Sequence, residues 1–312
     1  MQELRMLSER TISIAIPTYG RDQDLTDTIA SILELKFGAD ELLVVDQTPN
    51  HDAVTQQRLQ QWDDGEKIRW IRLEKPSITR SMNHALRQAK SDLVLFLDDD
   101  IRPRSEFVAE HKKTHQNEPE LWATVGQVIQ PWQEPTDLQA PREARGLRTD
   151  EDFPFHSIRS IDVQNVMAGN LCVNRQRALS IGGFDENFVG AAFRFETEFA
   201  RRIVKAGGTI RFLGNAGIDH LRVERGGTRT GGSHLASADP RHGVGDHYYA
   251  MLHSDSPAEA RVYCLRRILR EVRTKFHLTH PWWIPVKLVG EVRAYFAAKR
   301  MVKEKRATNL TN

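Results

Sequence analysis

The first hundred residues alternate between short apolar runs and longer stretches in which apolar residues recur every three or four positions. The short runs predict strands, because polar or turn-forming residues bound each of them. The longer stretches predict helices. The predicted strands are 12–16, 41–45, 68–73 and 93–97, and the clearest predicted helices are 22–35 and 79–89. Strands that alternate with helices predict an α/β fold built on a parallel sheet.

After residue 103 the pattern becomes less regular. Helices are predicted over 107–115 and 195–206, and strands over 122–129, 163–173 and 210–213, the last of which leads to His220. The Pro- and Arg-rich residues 130–155 show no periodicity and predict a connection. The pattern thus predicts a domain over 1–225 with halves 11–100 and 101–225, a glycine-rich flexible loop over 226–245, and a basic helical region over 246–312. The loop either closes over a ligand or serves as a plain connector.

Composition narrows the classes of function. The 312 residues include 44 basic and 42 acidic side chains, and this net charge of +2 is too small to give a generally basic, nucleic-acid-binding surface. The two cysteines, Cys172 and Cys264, have no partners at metal-binding spacing, so no disulfide framework or zinc site is expected. The N-terminus lacks an apolar signal core and no apolar run is long enough to span a membrane. We expect a cytoplasmic protein.

The C-terminal region concentrates positive charge. Residues 261–306 contain thirteen Lys or Arg against three Glu, and Trp282 and Trp283 lie between two prolines. Basic helices beside exposed tryptophan predict peripheral association with an anionic membrane, here the inner face. The alternative is that the tryptophans pack inside the protein and the basic side chains are solvated.

Three aspartates, Asp98, Asp99 and Asp100, directly follow the predicted strand 93–97. Side chains alternate along a strand, so Asp98 and Asp100 are expected on one side and Asp99 on the other. Two neighbouring carboxylates repel unless a positive group lies between them. Mg²⁺ and Mn²⁺ prefer such oxygen ligands and often share them with a nucleoside diphosphate, although a solvated acidic loop is the alternative.

Several motifs occur in an order typical of one enzyme family. They are 13–21 (Ser-Ile-Ala-Ile-Pro-Thr-Tyr-Gly-Arg), 42–46, 95–100 (Leu-Phe-Leu-Asp-Asp-Asp), 182–186 (Gly-Gly-Phe-Asp-Glu), 195–199 and His220. Over residues 11–225 the chain resembles the inverting glycosyltransferases of family 2, which have the GT-A fold. The resemblance implies a Rossmann-like, mostly parallel sheet flanked by helices, to which the basic helical C-terminal region is added.

The resemblance also implies a donor site. It assigns Asp46 to the base, Arg80 and Asn83 to the diphosphate or ribose, and Asp98 and Asp100 to the outer positions of the Asp-X-Asp motif, where Asp98 contacts ribose or metal and Asp100 binds metal. Asp99 is the intervening residue, and His220 is a third metal ligand in some members. The loop that receives the nucleotide is formed by Pro17, Thr18, Tyr19 and Arg21. The implied cofactor is Mn²⁺ or Mg²⁺, and the implied donor is a nucleoside diphosphate sugar.

The general base is implied at the start of the helix 195–206. Family members often have two adjacent acids there, but this chain has Phe195 at the first position, so Glu196 is the first candidate and Glu198 the second. Gly169 and Asn170 are expected on the acceptor side. Asp185 is expected to cap a following helix.

The implied reaction moves a sugar, with inversion, to a hydroxyl of a glycan or lipid-linked acceptor, as in polysaccharide synthesis for the cell envelope. Two other functions remain open. One is a membrane-associated nucleotide-sugar-binding protein without turnover, which the missing acid at Phe195 would fit. The other is a nucleotidyltransferase, although the loop after the first strand has only one glycine, Gly20.

Overall fold

The computed structural model describes residues 9–137, 146–148, 154–223, 226–227 and 233–311. In these residues helices flank one nine-stranded sheet, as the α/β prediction requires. The strands are β1 (Ile12–Thr18), β2 (Glu41–Asp46), β3 (Arg69–Arg72), β4 (Leu93–Leu97), β5 (Ile101–Pro103), β6 (Ala123–Ile129), β7 (Ile161–Val163), β8 (Asn170–Asn174) and β9 (Ile210–His220). The helices are α1 (Gln23–Leu33), α2 (Ala53–Asp64), α3 (Ile78–Gln88), α4 (Phe107–Asn117), α5 (Arg175–Ser180), α6 (Phe195–Lys205), α7 (Val244–His253), α8 (Pro257–Glu271), α9 (Lys275–Thr279) and α10 (Ile284–Thr311).

The chain forms two compact units. The first, here the sheet unit, contains Met1–Pro141, Asp152–Phe184 and Phe199–Gly227. The second, here the helical unit, contains Arg142–Glu151, Asp185–Glu198 and Thr228–Asn312. The predicted loop 226–245 lies partly outside the described residues. Where it is described it is not all loop, because Pro240–His242 form a 3₁₀ helix and α7 begins at Val244.

The sheet changes from parallel to mixed across its width. Its strand order is β3-β2-β1-β4-β8-β6-β9-β5, with β7 also paired to β9. The first four strands in this order are parallel, and β8 then runs antiparallel to both β4 and β6. The parallel strands β1, β2 and β4 are almost continuously apolar and buried, because helices cover such strands on both faces. Their carboxyl ends therefore meet at one edge of the sheet.

The single strand predicted over 163–173 is wrong. The structure has two strands there, β7 on β9 and β8 between β4 and β6, joined by residues 164–169. The strand predicted over 210–213 is also too short, because β9 continues to His220. Gly214 and Gly217 look like the end of a strand in the sequence, although both lie within β9. Gly214 is needed there because the Ile158 backbone approaches so closely that a Cβ would not fit.

Two histidines of α4 lie inside the sheet unit. His111 is fully buried, and its ring nitrogens bond the Thr124 hydroxyl at 2.7 Å and the Asn170 side-chain oxygen at 3.0 Å. Burial lowers the pKa of His111 from 6.5 to about 4, although the Asn170 bond acts in the opposite direction. Burial likewise lowers the pKa of His115 to about 3. Both rings are therefore neutral in the folded protein near pH 7.

The helical unit is organised around buried ion pairs. Arg267 of α8 contacts Asp246 of α7 and donates from Nε to Glu291 of α10 at 3.0 Å. Lys287 lies 3.0 Å from Glu291 and 3.2 Å from Glu271. Burial disfavours each charge, but the opposite charges outweigh it, so the pKa values of Asp246 and Glu291 are lowered and that of Arg267 is raised. Two of the predicted basic surface residues, Arg267 and Lys287, are thus internal.

Stability should decrease as pH falls from about 6.5 to about 4. In this window the unfolded chain protonates His111 while the folded chain does not, so protons favour unfolding by roughly 3 kcal/mol in total. Urea unfolding at a series of pH values measures this loss. In His111→Gln, which keeps hydrogen-bonding capacity but cannot titrate, the slope should become shallower; an unchanged slope would assign the effect to other groups.

Arg267→Ala should destabilise the helical unit by roughly 3–5 kcal/mol, because it leaves Asp246 and Glu291 buried with incomplete charge compensation. The neighbouring Arg266 is exposed, and Arg266→Ala is the matched control, expected to change stability by less than about 0.5 kcal/mol. Urea unfolding followed by circular dichroism measures both. Equal effects from the two substitutions would contradict a stabilising role of the buried network.

Candidate active site

The three aspartates lie where β4 ends, between β4 and the short strand β5. Because β5 pairs antiparallel with β9, Ile101 lies opposite His220, which brings this histidine to the aspartates. His220 Nε2 is 3.3 Å from Asp100 Oδ1 and 3.6 Å from Asp98 Oδ2. One ligand atom from each of Asp98, Asp100 and His220 lies within 4.8 Å of the other two. The cluster has the size and donor atoms of a divalent cation site.

The donor set fits the metal that the sequence implies. Two carboxylates and water suit Mn²⁺ and Mg²⁺ alike, and His220 can supply a third ligand atom. Asp98 remains nearly half exposed and can reach a ligand, while Asp100 is buried. Gly169 contributes by lacking a side chain, because a Cβ there would overlap Asp98 Oδ2.

Asp99 points away from this cluster, toward the loop that follows β1. Its Oδ2 accepts a 2.6 Å hydrogen bond from the Thr18 hydroxyl, and its Oδ1 lies 3.3 Å from Arg21 Nε. Burial raises the pKa of Asp99 to about 7, and the charges of Asp100 and Asp98 add to this, against the lowering effects of Thr18 and Arg21. Asp99 therefore fixes the β1 loop rather than facing solvent.

Arg21 joins several parts of the site. Besides Asp99 it reaches Asp100 Oδ2 at 3.2 Å and the Val223 carbonyl, after β9, at 3.1 Å. Burial alone would raise the pKa of Asp100, but His220, the Val223 N–H and Arg21 together lower it. Asp100 is thus held ionised. Among the residues predicted for the nucleotide loop, Thr18 and Arg21 are buried, while Pro17 and Tyr19 are partly exposed.

Asp46, at the end of β2, is completely buried. Its oxygens accept hydrogen bonds from the Thr48 N–H at 2.8 Å and the Trp70 indole at 2.9 Å, and one lies 2.8 Å from His51 Nε2. Burial acts to raise the pKa of Asp46, but His51 and Thr48 outweigh it and the pKa is lowered. The pKa of His51 is raised, because Asp46 and Asp22 outweigh the effect of burial. Sequence analysis did not find His51 or Trp70.

The two residues predicted on α3 differ in exposure. Arg80 is exposed, whereas Asn83 is buried and bonded to the Phe184 backbone. The Asn83 amide donates to the Phe184 carbonyl at 2.8 Å, and its oxygen accepts from the Phe184 N–H at 2.7 Å. Asn83 therefore anchors the Gly183-Phe184 turn, a role that sequence analysis missed.

The expectation that Asn170 lines the acceptor side is wrong. Asn170 is fully buried and its amide donates to the carbonyls of Gln127 and Ala216, at 3.2 and 2.8 Å, while its oxygen faces His111. It ties β8 to β6, its neighbour in the sheet, and to β9 beyond it. Gly169 supports Asp98 instead, as described above.

The two candidate bases begin α6 but have different surroundings. Glu198 is buried, with its Oε1 3.3 Å from His253 Nε2, whereas Glu196 is partly exposed. A base must reach a substrate hydroxyl, so these surroundings favour Glu196. His253 was missed from the sequence, because a lone histidine 55 positions away gives no local signal.

Asp185 does not cap a helix as expected. Its Oδ1 accepts from the Asn187 N–H at 3.0 Å, which closes a turn, and its Oδ2 accepts from the Tyr248 hydroxyl at 3.0 Å and from Lys305 Nζ at 2.6 Å. Burial would raise its pKa, but Lys305 and Asn187 lower it. Asp185 is a structural residue of the helical unit.

We expect Asp98→Asn to weaken Mn²⁺ binding by at least roughly tenfold, because it removes a charged ligand atom. Asp219→Asn is the matched control: Asp219 adjoins His220, is 46% exposed like Asp98, and pairs with Arg104 outside the cluster. Calorimetric titration with Mn²⁺ in the presence of UDP measures both. Equal affinity for the two variants would exclude Asp98 as a ligand.

The model of the family described as Glycosyl transferase family 2 matches residues 13–169. No curated protein matches the chain in sequence.

Solved structures show the same fold. The mannosyltransferase PcManGT from Pyrobaculum calidifontis, in complex with GDP-Man and Mn²⁺, is 16% identical over 97% of this chain and 81% of that chain, with a TM-score of 0.53. TarS 1–349 of S. aureus is 15% identical over 91% of this chain and 81% of that chain, with a TM-score of 0.56. GalNAc-T7 with UDP, GalNAc and Mn²⁺ is 14% identical over 72% of this chain, with a TM-score of 0.56, and the chain spans only 45% of its length. The GT-A fold predicted from the motifs is confirmed.

Proposed function

Because the chain belongs to glycosyl transferase family 2, we propose that it transfers a sugar, with inversion and metal assistance, from a nucleoside diphosphate donor to an acceptor hydroxyl. The observation that carries the proposal is the Asp98, Asp100 and His220 cluster at the carboxyl end of β4, the edge at which sheets of this kind bind ligands. The fit of the donor atoms to Mn²⁺ supports metal dependence.

Three groups of residues take part in donor binding. We assign the metal to Asp98, Asp100 and His220, and the nucleotide to the β1 loop with Arg80. A bound divalent cation would stabilise negative charge on the leaving diphosphate as a Lewis acid. Asp99, Asp46 and Asn83 hold the loops in place through Thr18, His51 and Phe184, so their contribution is positional. GDP-Man and UDP in the neighbouring structures make GDP-sugars and UDP-sugars the first donors to test.

Glu196 is proposed as the general base. It would accept the proton of the acceptor hydroxyl as this oxygen attacks the anomeric carbon from the face opposite the diphosphate. Partial exposure supports Glu196, since the competing Glu198 is buried against His253. Phe195 stands at the first of the two positions where family members often have adjacent acids, so Glu196 alone would perform the step.

The acceptor is proposed to be a glycan or a lipid-linked precursor. The exposed basic side chains of α8 and α10 support work at an anionic membrane surface, where lipid-linked acceptors are found. Across the described residues, every helix is too short or too polar to cross a bilayer.

Glu196→Gln should lower kcat for sugar transfer by roughly 10²–10⁴-fold while leaving nucleotide affinity unchanged, because it removes the proton acceptor and keeps the shape. Turnover assays with UDP- and GDP-sugars, together with calorimetric titration with UDP, GDP and dTDP, measure both quantities. Glu198→Gln is the matched control and should mainly lower thermal stability.

The outcomes separate the competing functions. If Glu198→Gln loses turnover at normal stability while Glu196→Gln retains it, Glu198 is the base. If the wild type binds a nucleotide with Mn²⁺ but neither transfers nor hydrolyses any donor sugar, the protein is a binding protein without turnover. If no nucleotide binds, the metal–diphosphate assignment fails.

A further inference from the structure

The basic residues between positions 261 and 306 fall into two sets, one buried in the helical unit and one exposed on its surface. Arg267 and Lys287 pair with Glu271 and Glu291 inside the helical unit, so these four charges cancel. The remaining basic side chains with described exposure are, apart from Lys305, exposed: Arg261, Arg266, Arg270, Arg273, Lys275, Arg293, Lys299, Arg300 and Lys303. Of these, Arg270 is 53% exposed and also lies 3.5 Å from the buried Asp246. Among the described side chains of this region, Glu304 is the one exposed acid. The outer set is therefore far more basic than the net charge suggests.

Large apolar side chains are exposed between these basic residues. On α8, Val262, Leu265 and Leu269 are 48%, 58% and 41% exposed. They lie three and four positions apart and so form one stripe, on the side opposite the buried Cys264 and Arg267. The stripe is bordered by Arg261 on one side and by Arg266, Arg270 and Arg273 on the other.

The exposed apolar surface continues along the chain beyond α8. Leu278 of α9 is 73% exposed and Trp282, in the 3₁₀ helix that follows, is 65% exposed. These two exposed apolar side chains follow the α8 stripe in the same basic stretch of chain, and exposed apolar surface rimmed by polar residues is typical of interaction sites. We name Val262, Leu265, Leu269, Leu278 and Trp282, with the adjoining arginines and Lys275, the α8–α9 surface.

We propose that the α8–α9 surface docks the protein on an anionic lipid bilayer, with the apolar side chains at the boundary between headgroups and acyl chains. Arginines on both borders of an apolar stripe give the arrangement of a helix lying in the membrane plane. Tryptophan is enriched at the same depth. The inference deepens the membrane association in the proposed function by naming the surface that makes the contact.

The charge of the α8–α9 surface favours an anionic bilayer over other binding partners. Between residues 261 and 283 five basic side chains are exposed, those of Arg261, Arg266, Arg270, Arg273 and Lys275, and the one acid, Glu271, lies 3.2 Å from the buried Lys287. A second copy of the chain would place like charges opposite each other. Nucleic acid would satisfy the arginines but would leave Val262, Leu265 and Leu269 without apolar partners. An anionic bilayer satisfies both the charged and the apolar side chains.

The test measures co-sedimentation of the full chain with phosphatidylcholine vesicles, with and without phosphatidylglycerol. We expect the wild type to bind only the anionic vesicles, and to be released by salt. Leu265→Ser combined with Trp282→Ser should lose binding. Arg266→Ser combined with Arg273→Ser should weaken it roughly 25-fold, at about fivefold for each basic residue.

A second apolar face supplies the matched control. On α10, Val292 and Phe296 are 47% and 57% exposed beside Arg293 and Arg300, so Val292→Ser combined with Phe296→Ser removes comparable apolar area elsewhere. This variant should bind vesicles as the wild type does. Circular dichroism and nucleotide affinity should be unchanged in all three variants.

Several outcomes would overturn the inference. These are failure of the wild type to bind anionic vesicles, loss of binding in the α10 variant but not in the Leu265/Trp282 variant, and binding of a single-stranded RNA probe in place of vesicles. A change of oligomeric state in the Leu265/Trp282 variant, without vesicle binding by the wild type, would identify a second copy as the occupant. None of these readouts uses sugar transfer, so failure here and failure of the proposed enzymatic activity are distinguishable.

Discussion

Repulsion among three consecutive carboxylates is the constraint on which the candidate site depends. The apolar strand β4 delivers Asp98, Asp99 and Asp100 to one edge of the sheet, and in the bend between β4 and β5 Asp99 turns away from the other two, toward Thr18 and Arg21. Arg21 compensates the buried pair Asp99 and Asp100, and His220 faces Asp98 and Asp100. Because Arg21 also bonds the Val223 carbonyl, the same guanidinium ties the β1 loop to the segment after β9. Charge compensation thus determines how the loops of the site are held.

In the helical unit, too, an arginine compensates buried carboxylates. Asp246 and Glu291 are buried on different helices, and Arg267 reaches both. Once these charges are paired inside, the exposed remainder of α8 and α10 is strongly basic. One stretch of sequence therefore contains both an internal ion network and an external basic surface, and composition alone does not separate the two. Helical periodicity does separate them, because Ala260, Cys264, Arg267 and Glu271 recur at helical spacing on one face.

The sequence predicted most of the strands near the N-terminus, but not which strands pair or which residues bond the buried polar groups. The apolar runs of β1, β2 and β4 identify these strands because each run is local, and the residues after each strand fall at one sheet edge by topology. The position of β8 between β4 and β6 depends on pairings such as Leu93 with Asn174 and Ala123 with Val173, which join residues far apart in the chain and which periodicity does not encode. The same limit hid the partners of buried polar groups. Trp70 bonds Asp46 and Phe184 bonds Asn83 across 24 and 101 positions, so motif resemblance found Asp46 and Asn83 but not the residues that fix them.

The start of α6 links the buried ion network to Glu196, the proposed general base. Ala192 and Arg194 have positive φ angles of 47° and 75°, a left-handed conformation that costs energy for residues other than glycine. Arg194 Nε bonds the buried Asp246 at 3.1 Å, and its Nη2 bonds the Tyr263 hydroxyl at 3.3 Å. Gly245 allows the close approach, because a Cβ there would overlap the Phe193 carbonyl. The network therefore stabilises a strained backbone immediately before Glu196. In the proposed role, Glu196 would benefit from this fixed starting point, since a base on a frayed helix end would lose orientation toward the acceptor hydroxyl.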